Sequence, residues 1–179
     1  STALIYNNQA GLLLSMGNYQ EAINWNKKTL IIKQQLYSEN HPEIAYTLNN
    51  LGLLYKATKN YEKALIYFEK ALEIQKSFFT NHHPEIATTM NNIGALMSLM
   101  DGKKFEAKEY FKNSLNIRMI CFGNENALVA STMNNYAGLL YQLNEFSQCK
   151  ELFEEALNIR RKIFQDDHPA IAESFHNLG

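Results

Sequence analysis

Proline and glycine are scarce in this chain. Three prolines and eight glycines among 179 residues are too few for a loop-rich or disordered polypeptide. Charge of one sign is equally lacking. The formal net charge of −1 supplies no basic field for nucleic acid and no strong acidic one. Only two cysteines occur, Cys121 and Cys149, and both sit in helical patterns rather than in a spaced framework. That suits free thiols in a reducing compartment, so the expected location is cytoplasmic. No apolar run approaches the length of a membrane span, and nothing resembles a signal peptide. No nucleophile–base pair, phosphate loop or ligand cluster is visible, so neither an enzyme, a cofactor nor a metal is expected. The chain lacks an initiator methionine and stops in mid-pattern at Gly179; it reads as a piece of a longer protein.

What is present is repetition, and 46% apolar residues to build a core. The pair Asn-Asn recurs as Asn7-Asn8, Asn49-Asn50, Asn91-Asn92 and Asn134-Asn135, each time ahead of a small residue and an apolar run. With Asn177, the steps between second asparagines are 42, 42, 43 and 42 residues. The phrase HPEIA at 41–45 and 83–87 returns as HPAIA at 168–172 and more weakly as NALVA at 126–130. A closing phrase reads TLIIK at 29–33, ALEIQ at 71–75, SLNIR at 114–118 and ALNIR at 156–160. The units are therefore about 1–40, 41–82, 83–125 and 126–167, with a partial fifth at 168–179. Asp101-Gly102 explains the 43-residue step as one extra turn residue.

Each unit reads as two helices. Pro42 suits a first helical turn, where its missing N–H costs nothing, and Ile44, Leu48, Leu51, Gly52 and Tyr55 follow at helical spacing. The second helix carries Tyr61, Ala64, Phe68, Ala71, Leu72 and Ile74 on one stripe. First helices are expected near 2–16, 42–57, 84–100, 127–143 and 169–178; second helices near 19–37, 60–79, 103–121 and 146–164. The fold class is all-α, a stack of antiparallel helix pairs. Ala10, Gly52, Gly94 and Ala137 share one position, where a small side chain lets the two helices of a pair approach closely.

The set Leu48, Leu51-Gly52, Tyr55, Ala64, Phe68 and Ala71, repeated as Met90, Ile93-Gly94, Met97, Ala107, Phe111 and Ser114, and as Met133, Tyr136-Ala137, Leu140, Cys149, Phe153 and Ala156, resembles the tetratricopeptide repeat. The long period and the HPxIA…NN phrase are similar to the repeats of kinesin light chain and related scaffold proteins. The first unit departs most: Asn26 stands where the aromatic belongs, with Trp25 beside it to compensate. The resemblance implies a right-handed superhelical α-solenoid whose first helices line a concave, peptide-binding groove.

At about 100° per residue, with Leu48 at zero, Asn50 falls near 200°, opposite the core, and Asn49 near 100°, on its flank. An asparagine amide offers two donors and an acceptor with two lone pairs, so it can hold the main chain of an extended peptide whatever the peptide's side chains are. The set opposite the core (Asn8, Asn50, Asn92, Asn135) is expected to bind such a ligand. The flank set (Asn7, Asn49, Asn91, Asn134) is divided between the groove and bridging of neighbouring helices. Tyr46, Leu53, Lys56, Thr88, Ala95, Ser98, Ser131, Gly138 and Gln142 complete a groove stripe that is nearly uncharged.

Other residues have structural readings. His41, His83 and His168 share one repeat position and are expected to start helices; helix axes pack about 8–10 Å apart, too far for equivalent atoms to share a metal. Cys149 replaces a core alanine and reads as a small buried hydrophobe. Arg160-Arg161-Lys162, the densest basic cluster, reads as a solvated helix end. Ile171, Phe175 and Leu178 form a strip with no second helix to cover them, which points to end-to-end self-association of the truncated array. The expected function is a non-catalytic scaffold for a peptide or disordered protein segment, with no nucleic-acid partner. The rivals are a regulatory array beside an enzyme or signalling domain, and an architectural, self-assembling spacer.

Overall fold

A computed structural model describes residues 17–164 and 168–178, with side chains through residue 174. The expected helix 2–16, with Asn7, Asn8 and Ala10, lies outside the described residues. The described elements are α1 (Tyr19–Leu36), α2 (Pro42–Ala57), α3 (Tyr61–Phe78), α4 (Pro84–Met97), α5 (Lys104–Phe122), α6 (Ala127–Gln142), α7 (Phe146–Ile163) and α8 (Pro169–Leu178). Among the described residues there is no β-strand. The chain divides into two compact units, residues 1–81 and 82–179, so the first holds α1–α3 and the second α4–α8. Within them α2 pairs with α3, α4 with α5, and α6 with α7, while α1 packs on α2, α5 on α6 and α7 on α8.

Local chemistry sets the helix starts. His41, His83 and His168 accept from the backbone N–H two residues on through Nδ1, at 3.2, 3.2 and 3.1 Å. Asn126 does the same with its amide oxygen at 2.8 Å. Each satisfies a backbone donor orphaned at a helix N-terminus. The histidines are thus helix starters, as their position implies. Rings stack above two of them, Tyr37 on His41 at 4.1 Å and Phe164 on His168 at 3.9 Å between centroids.

The turn inside each pair needs one left-handed residue. Gly17, Lys59, Gly102 and Asn144 fill that position with φ of 74°, 60°, 74° and 61°. Glycine and asparagine adopt this conformation readily, lysine does not. Lys59→Gly is therefore expected to raise stability by about 0.5–1 kcal/mol, read as a higher urea midpoint; an unchanged midpoint would show that Lys59 carries no strain. The turn near Gly102 also corrects one boundary. The helix expected to reach residue 100 stops at Met97, and 98–103 form the connection, because the inserted Asp101-Gly102 sets the left-handed residue further from the helix end than in the other units.

The core follows the repeat. Phe68 and Phe111 are completely or almost completely buried and pack where the facing helix has no side chain. A Cβ built on Gly52 would lie 2.5 Å from the Phe68 ring, and one on Gly94 3.1 Å from Phe111. In the fourth unit the facing residue is Ala137, and Phe153 is 7% exposed against 0% for Phe68. In the first unit Asn26 itself occupies the buried aromatic position, donating to the Ala22 carbonyl at 3.1 Å. Trp25 does not replace it; its indole is half-buried, with Lys28 Nζ 4.4 Å from the ring centroid. Ile171, expected on an uncovered strip, is 2% exposed, because one face of α8 packs on α7.

Candidate functional site

The helical wheel separates the asparagines as expected in degree. On the flank, Asn49 and Asn134 are each 7% exposed and Asn91 is half-buried. Opposite the core, Asn50 and Asn92 are half-buried and Asn135 is exposed. Asn134 has a structural partner. With its amide oxygen turned toward α7, it accepts from both terminal nitrogens of Arg160, at 2.8 and 3.1 Å. The two sets are not separate in role, however. Asn135 Nδ2 donates to Asn91 Oδ1 at 3.1 Å, an amide–amide link between α6 and α4 that a wheel drawn on one helix does not contain.

That link borders an open cleft in the second unit. The cleft holds about 220 Å³ between α4 and α6. Ala95, Ser98 and Gly138 make its room, the Phe111 and Phe153 rings its floor, and Asn134, Asn135 and Gln142 its polar edge. A Cβ added at Gly138 would meet nothing within 4 Å, so the backbone there is open to close approach. Asn135 commits one N–H to Asn91, which leaves its oxygen and second N–H for a ligand.

In the first unit Tyr46 is exposed on α2, with Lys33 Nζ 5.5 Å from its ring centroid. Leu53 and Lys56 are half-buried, and burial pushes the Lys56 ammonium below its ordinary pKa. Thr88 leaves the groove stripe: its hydroxyl donates to the Pro84 carbonyl at 3.0 Å and accepts from Arg118 at 3.3 Å. It serves the seam between repeats.

Sequence reasoning missed that seam. The last letter of the closing phrase is Lys33, Gln75, Arg118 and Arg160, and all four are buried. Lys33 Nζ donates to the Glu43 carbonyl at 3.2 Å and to its carboxylate at 2.7 Å. Arg118 Nη1 donates to the Leu128 carbonyl at 3.0 Å and to the Thr132 hydroxyl. Arg160 Nη1 donates to the Ala170 carbonyl at 2.7 Å and to Ser174 at 2.8 Å, and meets the Glu173 carboxylate at 3.0 Å. Each cation thus ties a second helix to the first turn of the next helix, ten residues on. Burial holds the Arg118 guanidinium below the usual arginine range. The visible signal was a long polar residue ending an otherwise apolar phrase in every copy. The Arg160-Arg161-Lys162 reading needs the matching correction: Arg160 is buried in this seam, and only Arg161 and Lys162 are exposed.

Cys149 is buried, and burial pushes its thiol up; Cys121 is half-buried and donates to the His82 carbonyl at 3.2 Å. Among the described residues no group of three histidine, cysteine, aspartate or glutamate side chains could hold a metal, and no helix is long and apolar enough to cross a membrane.

Antiparallel helix pairs, close contact at a small residue, and cationic ties between successive pairs define a helical-repeat interaction protein. The tetratricopeptide repeat family model matches residues 1–77, 57–120, 85–162 and 128–179, and the chain belongs to that family. Such repeats make it, in general terms, a scaffold for protein interaction. No curated protein sequence matches the chain significantly. Among solved structures it is similar to BtubC (BKLC) from P. vanneervenii, at 24% identity and a TM-score of 0.84, over 94% of this chain and 67% of that one. It is also similar to Podosopora anserina kinesin light chain-type proteins of nearly identical TPR-like repeats. Two such structures have 20% and 19% identity and TM-scores of 0.82. They cover 97% and 99% of this chain, and 81% and 85% of theirs. At these identities the likeness is one of fold.

Proposed function

We propose that the chain is a non-catalytic cytoplasmic scaffold that holds an extended peptide, or a disordered segment of a partner protein, by its main chain along the first helices. The observation that carries this reading is the α4–α6 cleft. Small residues give a backbone room there, an aromatic floor gives it a dry surface, and amides line the edge. In the second unit Asn92 and Asn135 are assigned to the ligand, with Gln142 beside them. In the first unit, taken by itself, Asn50, Tyr46, Leu53 and Lys56 are assigned to the ligand; Asn50 and Asn135 are less buried than Asn49 and Asn134. Asn49, Asn91 and Asn134 serve mainly to hold the helices that present them. With so few charges at the cleft, specificity rests on the main chain and shape, and nucleic acid is not a partner.

The test is a pair of triple variants titrated with a peptide selected from a random-sequence display library. Asn50→Ala/Asn92→Ala/Asn135→Ala should stay near the wild-type melting temperature, the better helix propensity of alanine offsetting the lost Asn135–Asn91 bond. Its affinity should fall by roughly 1–3 kcal/mol, below the simple sum because water replaces part of each lost bond. Asn49→Ala/Asn91→Ala/Asn134→Ala should lose more stability than affinity, because Arg160 then keeps a buried, uncompensated donor. N-methylation of the peptide backbone should abolish binding. A first variant that melts several degrees lower and binds unchanged would make the amides structural and favour the spacer reading.

A further inference from the structure

The first unit carries a second cleft, on the side of the second helices, and the second unit provides its internal control. The cleft encloses about 660 Å³ between α1 and α3, within the range of about 300–1,000 Å³ common for ligand sites. Its floor is Leu30, Ile44, Leu48, Tyr67 and Ile74. Ile44 and Leu48 belong to a fully buried cluster with Ala45 and Ala71, yet Leu30, Tyr67 and Ile74, packed against it, stay partly open. The core of this unit therefore surfaces in the cleft.

The corresponding positions in the second unit lie 85 residues on. There Leu115, Met119 and Leu152 pack against the buried Val129, Met133 and Ile159, and the surroundings differ in four ways. Ile31, 55% exposed beside Leu30, corresponds to Asn116; Ile66, 49% exposed beside Tyr67, corresponds to Glu151. Ser77 and Asn40 correspond to Lys162 and Glu125, which in the second unit form an ion pair joining α7 to the loop before α6. Gln34 stands where Met119 fills space. The first unit thus has apolar side chains where its counterpart is polar, and no ion pair where its counterpart is strapped. Scattered exposed isoleucines mean nothing by themselves, but Ile31 and Ile66 each adjoin a lining residue in the chain, Leu30 and Tyr67, and exposed apolar side chains beside an apolar cleft mark an interaction site.

The rim tells what fits. Glu39 and Glu73 line it with Lys70, and neither glutamate has an ion-pair partner among the described residues. Residues 1–16 contain no lysine, arginine or histidine to supply one. We infer that this cleft docks an amphipathic helix of a partner protein, its apolar face on Leu30, Ile31, Ile66 and Tyr67 and a lysine or arginine set against Glu39 and Glu73. An apolar helix face laid in an apolar groove is a common mode of peptide capture, and the unpaired carboxylates select the basic form.

The experiment uses the whole chain and two synthetic amphipathic helices of leucine with lysine and of leucine with glutamate. The leucine–lysine helix should bind the wild type at least ten-fold more tightly than the leucine–glutamate helix, with amide shift changes at Leu30, Tyr67 and Ile74. Ile31→Asn/Ile66→Glu installs the residues of the second unit at exposed positions and should keep the melting temperature while weakening that binding ten-fold or more. The added carboxylate would by itself attract a basic peptide, so such a loss can come only from the apolar contact. Glu39→Gln/Glu73→Gln should bring the two helices within about two-fold of each other, and Asn92→Ala/Asn135→Ala should bind as the wild type does. Unchanged binding by Ile31→Asn/Ile66→Glu, or shift changes centred elsewhere, overturns the proposal. So does a self-dimer, seen by sedimentation, that this variant abolishes while neither helix binds, since the occupant would then be a second copy of the chain.

Discussion

Phe68→Ala lowers the stability of the chain by about 3–5 kcal/mol, the cost of emptying a packed aromatic site. The ring is 0% exposed and fills the space that Gly52 leaves on the facing helix, where an added Cβ would lie 2.5 Å from it. The same geometry couples the two positions. Gly52→Ala alone forces ring against methyl and costs about 1–3 kcal/mol, as overpacking does. Combined with Phe68→Leu the clash is relieved, so the double variant should be more stable than the sum of the two losses by about 0.5–3 kcal/mol. Urea unfolding of Phe68→Ala, Gly52→Ala, Phe68→Leu and the double variant measures all four. A loss below about 1 kcal/mol for Phe68→Ala would place the ring outside the core and break the alignment of the repeats. Asn26→Ala, at the equivalent position, should cost little; Oδ1 of Asn26 already lacks a hydrogen-bond partner among the described residues.

Arg118→Ala should cost about 3 kcal/mol, although the side chain lies outside both clefts. Hydrogen bonds from a charged donor contribute about 1.5–3 kcal/mol, and this guanidinium holds the Leu128 carbonyl together with the Thr132 and Thr88 hydroxyls. Removing it leaves the carbonyl at the start of α6 without that donor, so amide exchange should accelerate over the first turn of α6. Arg118→Gln, which installs the residue found natively at 75, should recover only part of the loss, because an amide cannot reach all three acceptors at once. Arg161→Ala, one residue from the equivalent site on α7 and exposed, is the control and should change stability by less than about 0.5 kcal/mol. Equal losses at Arg118 and Arg161 would deny the seam any structural weight.

The two experiments also mark how far a single sequence reaches. Phe68, Gly52 and their repeats were legible because core positions recur at helical spacing and the period aligns them. Helix starts were legible because proline and a capping histidine or asparagine act within two or three residues of themselves. Arg118 was not legible. A long cation at the end of a second helix has the same local chemistry whether it meets solvent or a carbonyl ten residues on, and Arg160, Arg161 and Lys162 stand side by side with different fates.

The sequence alone determined the all-α class, the 42-residue unit, the helix limits to within a few residues, and which face of each helix is apolar. These depend on backbone propensity and on the angle between neighbours along one helix, both written in local order. The tertiary structure decided that Asn134 meets Arg160, that Asn91 and Asn135 join, and that Thr88 turns to Arg118 rather than to the groove. It also decided that Leu30, Tyr67 and Ile74 line an open cleft between α1 and α3. Those outcomes turn on distances of 3–4 Å between atoms on different helices, and helix-to-helix distance and register emerge only when the pairs pack.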